Sequence, residues 1–394
     1  MIASIGILHI TYIPFTQHAL RYIDAFYTAC QIGLAYDLLL VRELRALKVI
    51  RRKRQGLQDL YYWQHSPKQF SLQTVLWAFD LSTNWRGIEW YDSLQLNQLP
   101  PALRNLVKGY GAAVTVRPGA LRFWPYSNQE QFFCDAIKVL ARGYFLLDTF
   151  EYIGTKGSTW LERRMSTAGY SHDCYGNMLL EPIIWGNIAA LNAGWLLLYV
   201  YAGLTMLYTS ATLIMVYLFG LDLWMFPPLF GSGQGLRVFK VSAMTGADWH
   251  NLLKRGLLSI SQSIVRKIDP NGALDHFTIC VSFLISGVIH GVACWAWAGH
   301  GRMAALTVFV FAIQPCCFLL QHGIDRVIAS YHHHNSITRP VGVTINFTLG
   351  FLWTFLTFPL IMRGIDFHPC AEIIRLIRPW SFWASLESYF SKLA

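Results

Sequence analysis

The stretch Phe283-Leu284-Ile285-Ser286-Gly287-Val288-Ile289-His290-Gly291 sets a histidine deep inside an apolar run from Phe277 to Ala298. None of the four charged residue types occurs between Asp275 and Arg302. A helix needs roughly 20 residues to cross the hydrocarbon core of a bilayer, and this run supplies them. A titratable ring in such a segment is costly and is retained where it has a partner or a task. Imidazole also has a proton affinity suited to base catalysis near neutral pH. The stretch therefore reads as part of a membrane enzyme. The bland alternative is a buried histidine bonded to a backbone carbonyl or to Ser286, one turn earlier. Gly287 and Gly291 flank the ring and leave room for a substrate or a second helix to approach.

The rest of the chain agrees with a membrane setting. Of its 394 residues, 54% are hydrophobic and 14% charged, against about 25% charged in soluble domains. Mean hydropathy is +0.34. Apolar segments recur at 2–18, 21–41, 71–90, 131–153, 181–201, 203–223, 277–298, 304–322 and 342–363. The expectation is an all-α polytopic protein with about eight or nine transmembrane helices around an intramembrane chamber. Segment 71–90 is the weakest of these, because it carries Asp80 and Arg86, and an interfacial or re-entrant placement is its alternative. Residues 1–19 lack a cationic lead and a small-residue cleavage site, so they read as a first membrane helix rather than a signal peptide. No fixed-period repeat or Pro/Gly/Ser linker divides the chain, which reads as a single integral-membrane domain over 1–394.

The net charge of +10 has a local origin. Seven cations crowd Arg42, Arg45, Lys48, Arg51, Arg52, Lys53 and Arg54, directly after an apolar segment. That placement is expected of a cytoplasmic loop near anionic lipid, and it argues against nucleic acid as a partner. The eight cysteines include no C-x-x-C pair and lie mostly in apolar segments, so they read as small buried hydrophobes. His332-His333-His334 has no cysteine or acidic neighbour and reads as a solvated loop. No G-x-S-x-G and no paired Asp-rich motif is present, which counts against a serine hydrolase and a prenyltransferase.

The stretch 224–276 is too polar to span and too rich in Trp, Phe and Gly to be a tether. Phe226-Pro227-Pro228-Leu229-Phe230-Gly231-Ser232 ends the preceding helix. An amphipathic helix is predicted from about Ala247 to Lys267, with Leu252, Leu253, Leu257, Ile260 and Ile264 on one face. Trp249 and His250 fall on its first turn, where free backbone N–H groups suit a thioester oxygen or a phosphate. The whole segment is expected to form a cytosol-facing loop.

These motifs taken together resemble the wax synthase-like branch of the membrane-bound O-acyltransferases. The resemblance rests on Pro227 to Ser232, on Trp249-His250-Asn251-Leu252-Leu253, on Phe283 to Gly291, and on Trp85-Arg86-Gly87-Ile88-Glu89-Trp90. It implies transfer of an acyl group from coenzyme A to an alcohol in a membrane chamber, with His290 as the catalytic base. It also implies a role for Trp249, His250 and Asn251 in the second signature. Fungal members of this branch commonly acetylate hydroxyls of terpenoids and meroterpenoids, whereas plant members more often make wax esters. One departure stands out. Where the branch often carries Phe-Trp-Gly before its Trp-His pair, this chain has Met244-Thr245-Gly246, and Asp248 precedes Trp249.

The expectation that follows is an acetyl-CoA-dependent O-acetyltransferase of the endoplasmic reticulum that acts on a lipophilic alcohol in secondary metabolism. Acetyl-CoA would be a co-substrate, with no tightly bound cofactor and no metal. Arg237, Lys240, Lys254 and Arg255 are candidates for its phosphates. Their competing explanation is the positive-inside bias. The alternatives are a long-chain wax ester synthase and, from another class, a transporter or scaffold for a lipophilic product. A transporter predicts paired intramembrane charges, and the expected helices do carry Asp24, Asp37, Asp135 and Asp148.

Overall fold

The computed structural model describes residues 2–11, 18–43, 47–55, 58–67, 69–84, 86–88, 90, 99–100, 102–104, 113–116, 128–167, 180–230, 252–272, 274, 277–299, 301–332, 342, 344–350, 352–353, 356–357, 381–383 and 386. They form a mostly helical protein with one small sheet. The elements in chain order are α1 (Ile2–Thr11), α2 (His18–Tyr36), β1 (Lys48–Gln55), β2 (Gln58–His65), α3 (Leu72–Thr83), β3 (Ala113–Val116), α4 (Gln129–Thr167), α5 (Leu180–Tyr217), α6 (Lys254–Ile268), α7 (Thr278–Ala298) and α8 (Gly301–His332). A π-helical turn, Asp37–Val41, extends α2. Three described helical segments are long and apolar enough to cross a bilayer: Leu198–Tyr217, Thr278–Ala298 and Gly301–Val327.

The core of the membrane part is the packing of α7 against α8 and α2. At 21 residues, α7 rises about 31 Å, the thickness of the hydrocarbon layer. It stops at Gly299, whose φ of 72° is the left-handed conformation that favours glycine at a helix end. The chain then turns directly into α8. The two helices meet at Gly287 and Gly291. A Cβ on Gly287 would lie 2.8 Å from Phe311 Cβ and 3.1 Å from Val308 O. On Gly291 it would lie 2.7 Å from Val308 Cγ2 and 3.1 Å from Ala304 O. Two glycines four residues apart let membrane helices associate by close packing, where lipid offers no hydrophobic drive. On another face of α7, Ala293 packs against Ala25 of α2 and Ile10 of α1, all fully or nearly buried.

Of three expectations for the helices, two change. First, 181–201 and 203–223 are not two helices, because the backbone runs unbroken through Ala202 as part of α5. The proline of α5, Pro182, stands in its first turn, where a proline is tolerated, and an isolated glycine such as Gly203 does not break a helix. Second, the span expected over 2–18 is described as a helix from Ile2 to Thr11, and its residues 12–17 lie outside the described residues. Third, α3 has 12 residues and rises about 18 Å, so the helix within 71–90 is too short to cross. Its buried face is Trp77 and Leu81, while Leu72, Val75, Leu76 and Phe79 stay exposed.

The basic run after α2 is not a loop either. Residues 48–55 form an edge strand paired antiparallel with β2, which pairs in turn with β3. This sheet is the exception to an all-α fold. Two adjacent apolar residues in β1 explain it. Val49 packs with Leu47, Trp77, Leu81 and Trp90, and Ile50 packs with Tyr61, Ile88, Leu99, Leu103 and Trp224. Neighbouring side chains of a strand point to opposite faces, so one dipeptide anchors both sides of the sheet. Charge suits an edge strand, because it discourages further pairing. Arg51 bonds Asp80 at 2.8 Å, and Arg52 pairs with Asp222.

Candidate active site

His290 sits near the middle of α7, half-buried between two rings. Phe311 of α8 stacks on it with centroids 4.7 Å apart and planes at 19°. Phe26 of α2 lies 4.9 Å away on a tilted plane. Tyr22, one turn before Phe26, places its hydroxyl 2.9 Å from His290 Nδ1. Tyr22 is itself held edge-on by Trp297 at 6.4 Å. Gly287 is what lets Phe311 come so close, since any side chain there would meet the Phe311 Cβ. The bland partner weighed for this histidine, Ser286, is not the one seen on Nδ1. The bond comes from a helix 268 residues away in sequence.

Tyr22, Phe26, Cys30, Gly33 and Asp37 recur at three- and four-residue spacing and mark one stripe of α2. The stripe rises about 22 Å from Tyr22 to Asp37. Along it, α2, α6 and α7 border a small open cleft of about 40 Å³ lined by Cys30, Gly33, Leu253, Leu257, Ile260 and Ile289, with Asp37 and Arg255 among its polar wall. Leu253 closes the second signature and Ile289 precedes His290, so the two motifs border the same cleft. The elements bearing them are also tied together: Ser261 of α6 and Ser282 of α7 place their hydroxyls 2.9 Å apart in a buried contact.

The polar end of the cleft is built around Asp37, which is 1% exposed. It accepts from Arg42 Nε at 2.6 Å and from Ser259 Oγ at 2.5 Å. Burial, followed by the nearby Arg255 charge, holds the Arg42 guanidinium below its ordinary range, and Asp37 partly offsets both. Arg255, 6% exposed, packs beside Gly87, with its guanidinium 5.9 Å from the Trp90 ring. A Cβ on Gly87 would lie 2.5 Å from Arg255 Cζ, and the φ of 54° there is left-handed. The Arg-Gly-Ile motif therefore makes a seat for Arg255. Arg86 completes the fastening: its Nη1 donates to Tyr208 Oη at 2.8 Å and to Pro227 O at 2.5 Å. Tyr208 donates to the same carbonyl at 2.8 Å. Two of the sequence motifs, at 85–90 and 227–232, thus meet at one hydrogen-bonded corner.

Of the expected site residues, His290, Lys254 and Arg255 are described. Trp249, His250, Asn251, Arg237 and Lys240 lie outside the described residues, as do Met244 and Thr245. The amphipathic helix runs from Lys254 to Ile268 with Leu253 as its N-cap, so the expected start near Ala247 is too early and Leu252 and Leu253 precede the helix, while 247–251 lie outside the described residues. Lys254 is exposed. Within α6, Ile260, Ser261 and Val265 are buried, while Leu257 and Ile264 of the expected stripe are half-buried. Among the described residues no group of three potential ligands could hold a metal ion. The four carboxylates considered for an ion pathway are each engaged. Asp24 bonds His9, Asp37 bonds Arg42 and Ser259, Asp135 bonds Lys138, and Asp148 accepts from the Phe382 and Trp383 amides.

The sequence reading missed Tyr22, Phe26 and Phe311 as neighbours of His290, and Asp37, Ser259 and Arg42 as the polar end. The one signal available for the first group was the four-residue spacing of Tyr22 and Phe26, which is equally the mark of any packed helix.

The sequence model of the membrane bound O-acyl transferase family matches residues 226–313. The matched segment holds both signatures, α6, α7 and the part of α8 that bears Phe311. No curated protein and no solved structure matches the chain. Together with the three apolar helices, the match supports a membrane-bound O-acyltransferase.

Proposed function

We propose that this membrane acyltransferase is an acetyl-CoA-dependent O-acetyltransferase that esterifies a hydroxyl of a lipophilic terpenoid or meroterpenoid in secondary metabolism. The observation that carries the catalytic part is His290 itself, held between Phe26 and Phe311 with Nδ1 bonded to Tyr22 inside an apolar helix. The choice of donor and acceptor rests on the likeness of the motifs to the fungal acetyltransferases.

In this reading the acceptor alcohol reaches His290 from the membrane side. Nε2 takes the hydroxyl proton as the oxygen attacks the thioester carbonyl. The tetrahedral oxyanion is met by donors from the second signature, His250, Asn251 or backbone N–H groups near the start of α6. Each such donor contributes roughly 3 kcal/mol in a dry site. Collapse of the intermediate breaks the carbon–sulfur bond and releases the ester. The proton on His290 passes to the departing thiolate, and the base is restored. Arg237, Lys240 and the exposed Lys254 meet the coenzyme A phosphates from the cytosol. Arg255 beside Arg42 adds positive potential at the polar end of the cleft. The protein resides in the endoplasmic reticulum, where a polyprenyl-derived acceptor partitions into the bilayer.

Microsomes from yeast expressing the protein, supplied with labelled acetyl-CoA and a panel of hydroxylated terpenoids, test this by mass spectrometry. Acetyl ester formation that depends on the protein is the expected result. Ester formed only from long acyl-CoA would overturn the acetyl donor, and no ester from either donor with any acceptor would overturn the substrate assignment.

A further inference from the structure

The match that supports acyl transfer covers 226–313, yet the Nδ1 bond of the proposed base reaches outside it, to α2. A histidine that acts as a base at one ring nitrogen needs its proton on the other. The group bonded to that other nitrogen sets which tautomer is present. Here the group is a tyrosine hydroxyl at 2.9 Å, an atom able both to donate and to accept. If Nδ1–H donates to Tyr22 Oη, then Nε2 carries the lone pair and proton exchange with an alcohol falls to it.

We infer that Tyr22 is a positioning residue that fixes His290 in the Nδ1–H tautomer and steadies the imidazolium formed during attack. The argument rests on the proposed role of His290 as base. The surroundings favour this arrangement. Phe26 and Phe311 press on the ring and hold its plane. Trp297 meets the Tyr22 ring edge-on and Phe26 stacks beside it at 6.3 Å, so the phenol is fixed as firmly as the imidazole. A neutral partner suits the site. A carboxylate would bring a formal charge into the apolar packing of α2, α7 and α8, at a cost a phenol avoids.

The other titratable groups on the packed elements are few. On α2 and its π-helical end they are His18, Arg21, Tyr27, Cys30, Tyr36, Asp37, which is bonded to Arg42 and Ser259, and Asp24, which is bonded to His9 of α1 at 2.7 Å. On α7 the next turn holds Cys294, whose Sγ is 3.4 Å from Thr307 Oγ1. On α8 no charged residue occurs between Arg302 and Asp325, and His322 stands three turns beyond Phe311. On α6 the charges are Lys254 and Arg255 at its start and Arg266 and Lys267 at its end.

The test compares wild type, Tyr22→Phe and His290→Ala in microsomes at equal abundance, with kcat and KM measured across pH. Tyr22→Phe keeps the ring and removes only the hydroxyl. The expected result is a fall in kcat on the order of 10-fold, about 1.4 kcal/mol, with KM unchanged. The acidic limb of the kcat profile should move to lower pH by up to about one unit, because the imidazolium has lost its acceptor. A fall in kcat and KM together with an unmoved limb would reduce Tyr22 to packing. Diethyl pyrocarbonate, which modifies neutral imidazole, gives a readout that needs no turnover. The pH midpoint for modification of the His290 peptide should also drop in Tyr22→Phe, and an identical midpoint would overturn the inference. If His290→Ala is inactive while Tyr22→Phe matches wild type in rate and midpoint, the base assignment stands and the positioning role falls. Full activity in His290→Ala would remove both.

Discussion

The helices around His290 and the sheet beside them are held by different chemistry. At the histidine, α2, α7 and α8 meet through rings and small residues: Phe26 and Phe311 on the imidazole, Ala25 on Ala293, and glycines against the α8 backbone. In the sheet layer the contacts are guanidinium on carboxylate and tryptophan on tryptophan, as in Arg51 with Asp80 and Trp77 with Trp90 at 5.1 Å. The contrast is the one that lipid around the helices and water at the sheet would produce. Helices in lipid gain nothing by hiding apolar surface from one another and associate through close fit. A layer that meets water buries aromatic rings for stability and uses its cations at the edge. The proposed chemistry sits in the first region. The second is fastened to α6 and to Pro227, by seating Arg255 on Gly87 and tying Arg86 to the Pro227 carbonyl.

Changes at the joint between the two regions and within each should break this contrast in graded steps. The largest effect is expected at Asp37, where the π-helical end of α2 meets α6. Asp37→Ala leaves the Arg42 guanidinium buried without its carboxylate, which costs about 3–5 kcal/mol. A large fall in melting temperature of the purified protein in detergent checks it, and an unchanged melting temperature would show the pair to be incidental. Next comes Gly287→Val. Its side chain must push Phe311 and Val308 away and widen α7 from α8. A displacement of about 1 Å at a catalytic ring lowers turnover by roughly 100-fold. The expected outcome is lost activity with the protein still inserted, read as turnover per unit of membrane-extracted protein.

Gly87→Ala tests the sheet side. The new methyl meets the Arg255 guanidinium at a left-handed φ, which together cost about 1–3 kcal/mol. The expected readout is a raised KM for acyl-CoA with a smaller change in kcat, because Arg255 at the start of α6 loses its seat. A raised KM would join the two regions functionally, while a change in kcat alone would separate Arg255 from donor binding. The smallest effect concerns Asp222, which accepts from Tyr61 Oη at 3.0 Å. Burial holds its carboxyl above the ordinary value, with Arg52 and Tyr61 pulling partly the other way. Burial and Asp222 likewise raise the Tyr61 hydroxyl. A carboxyl raised on folding contributes stability that is full below about pH 3.9 and is lost as pH rises through the folded value. Melting temperature should therefore slope downward over that window in wild type and less in Asp222→Asn. Equal slopes would remove Asp222 as the cause.

How far the sequence speaks differs between the same two regions. Helix α7 was legible to within a residue, because a 21-residue run without a charged side chain, ending in glycine, admits one reading. The helix over 304–322 was legible as the centre of α8, though its ends, past Pro315 to His332, were not. The sheet was hidden. Val49 and Ile50 are two apolar residues among six polar ones in β1, too few to show a period of two, and the surrounding arginines imitate a membrane-flanking loop. The division of α5 into two helices was an error of length. Hydropathy marks apolar windows of membrane size, and a continuous helix longer than a bilayer carries no break for it to find. At the site, His290 announced itself by being a titratable group in an apolar run. Tyr22 did not, since a tyrosine near a membrane helix end is common and the pairing is made by tertiary packing alone.

The central claim is that His290 takes the acceptor proton. The measurement that meets it directly is the rate of ester formation by His290→Ala, at an insertion level equal to wild type, with donor and acceptor saturating. The account predicts a loss of 100-fold or more, on the order of what a positioned general base supplies. Ester formation at the wild-type rate would contradict it and leave His290 as a packed ring between Phe26 and Phe311.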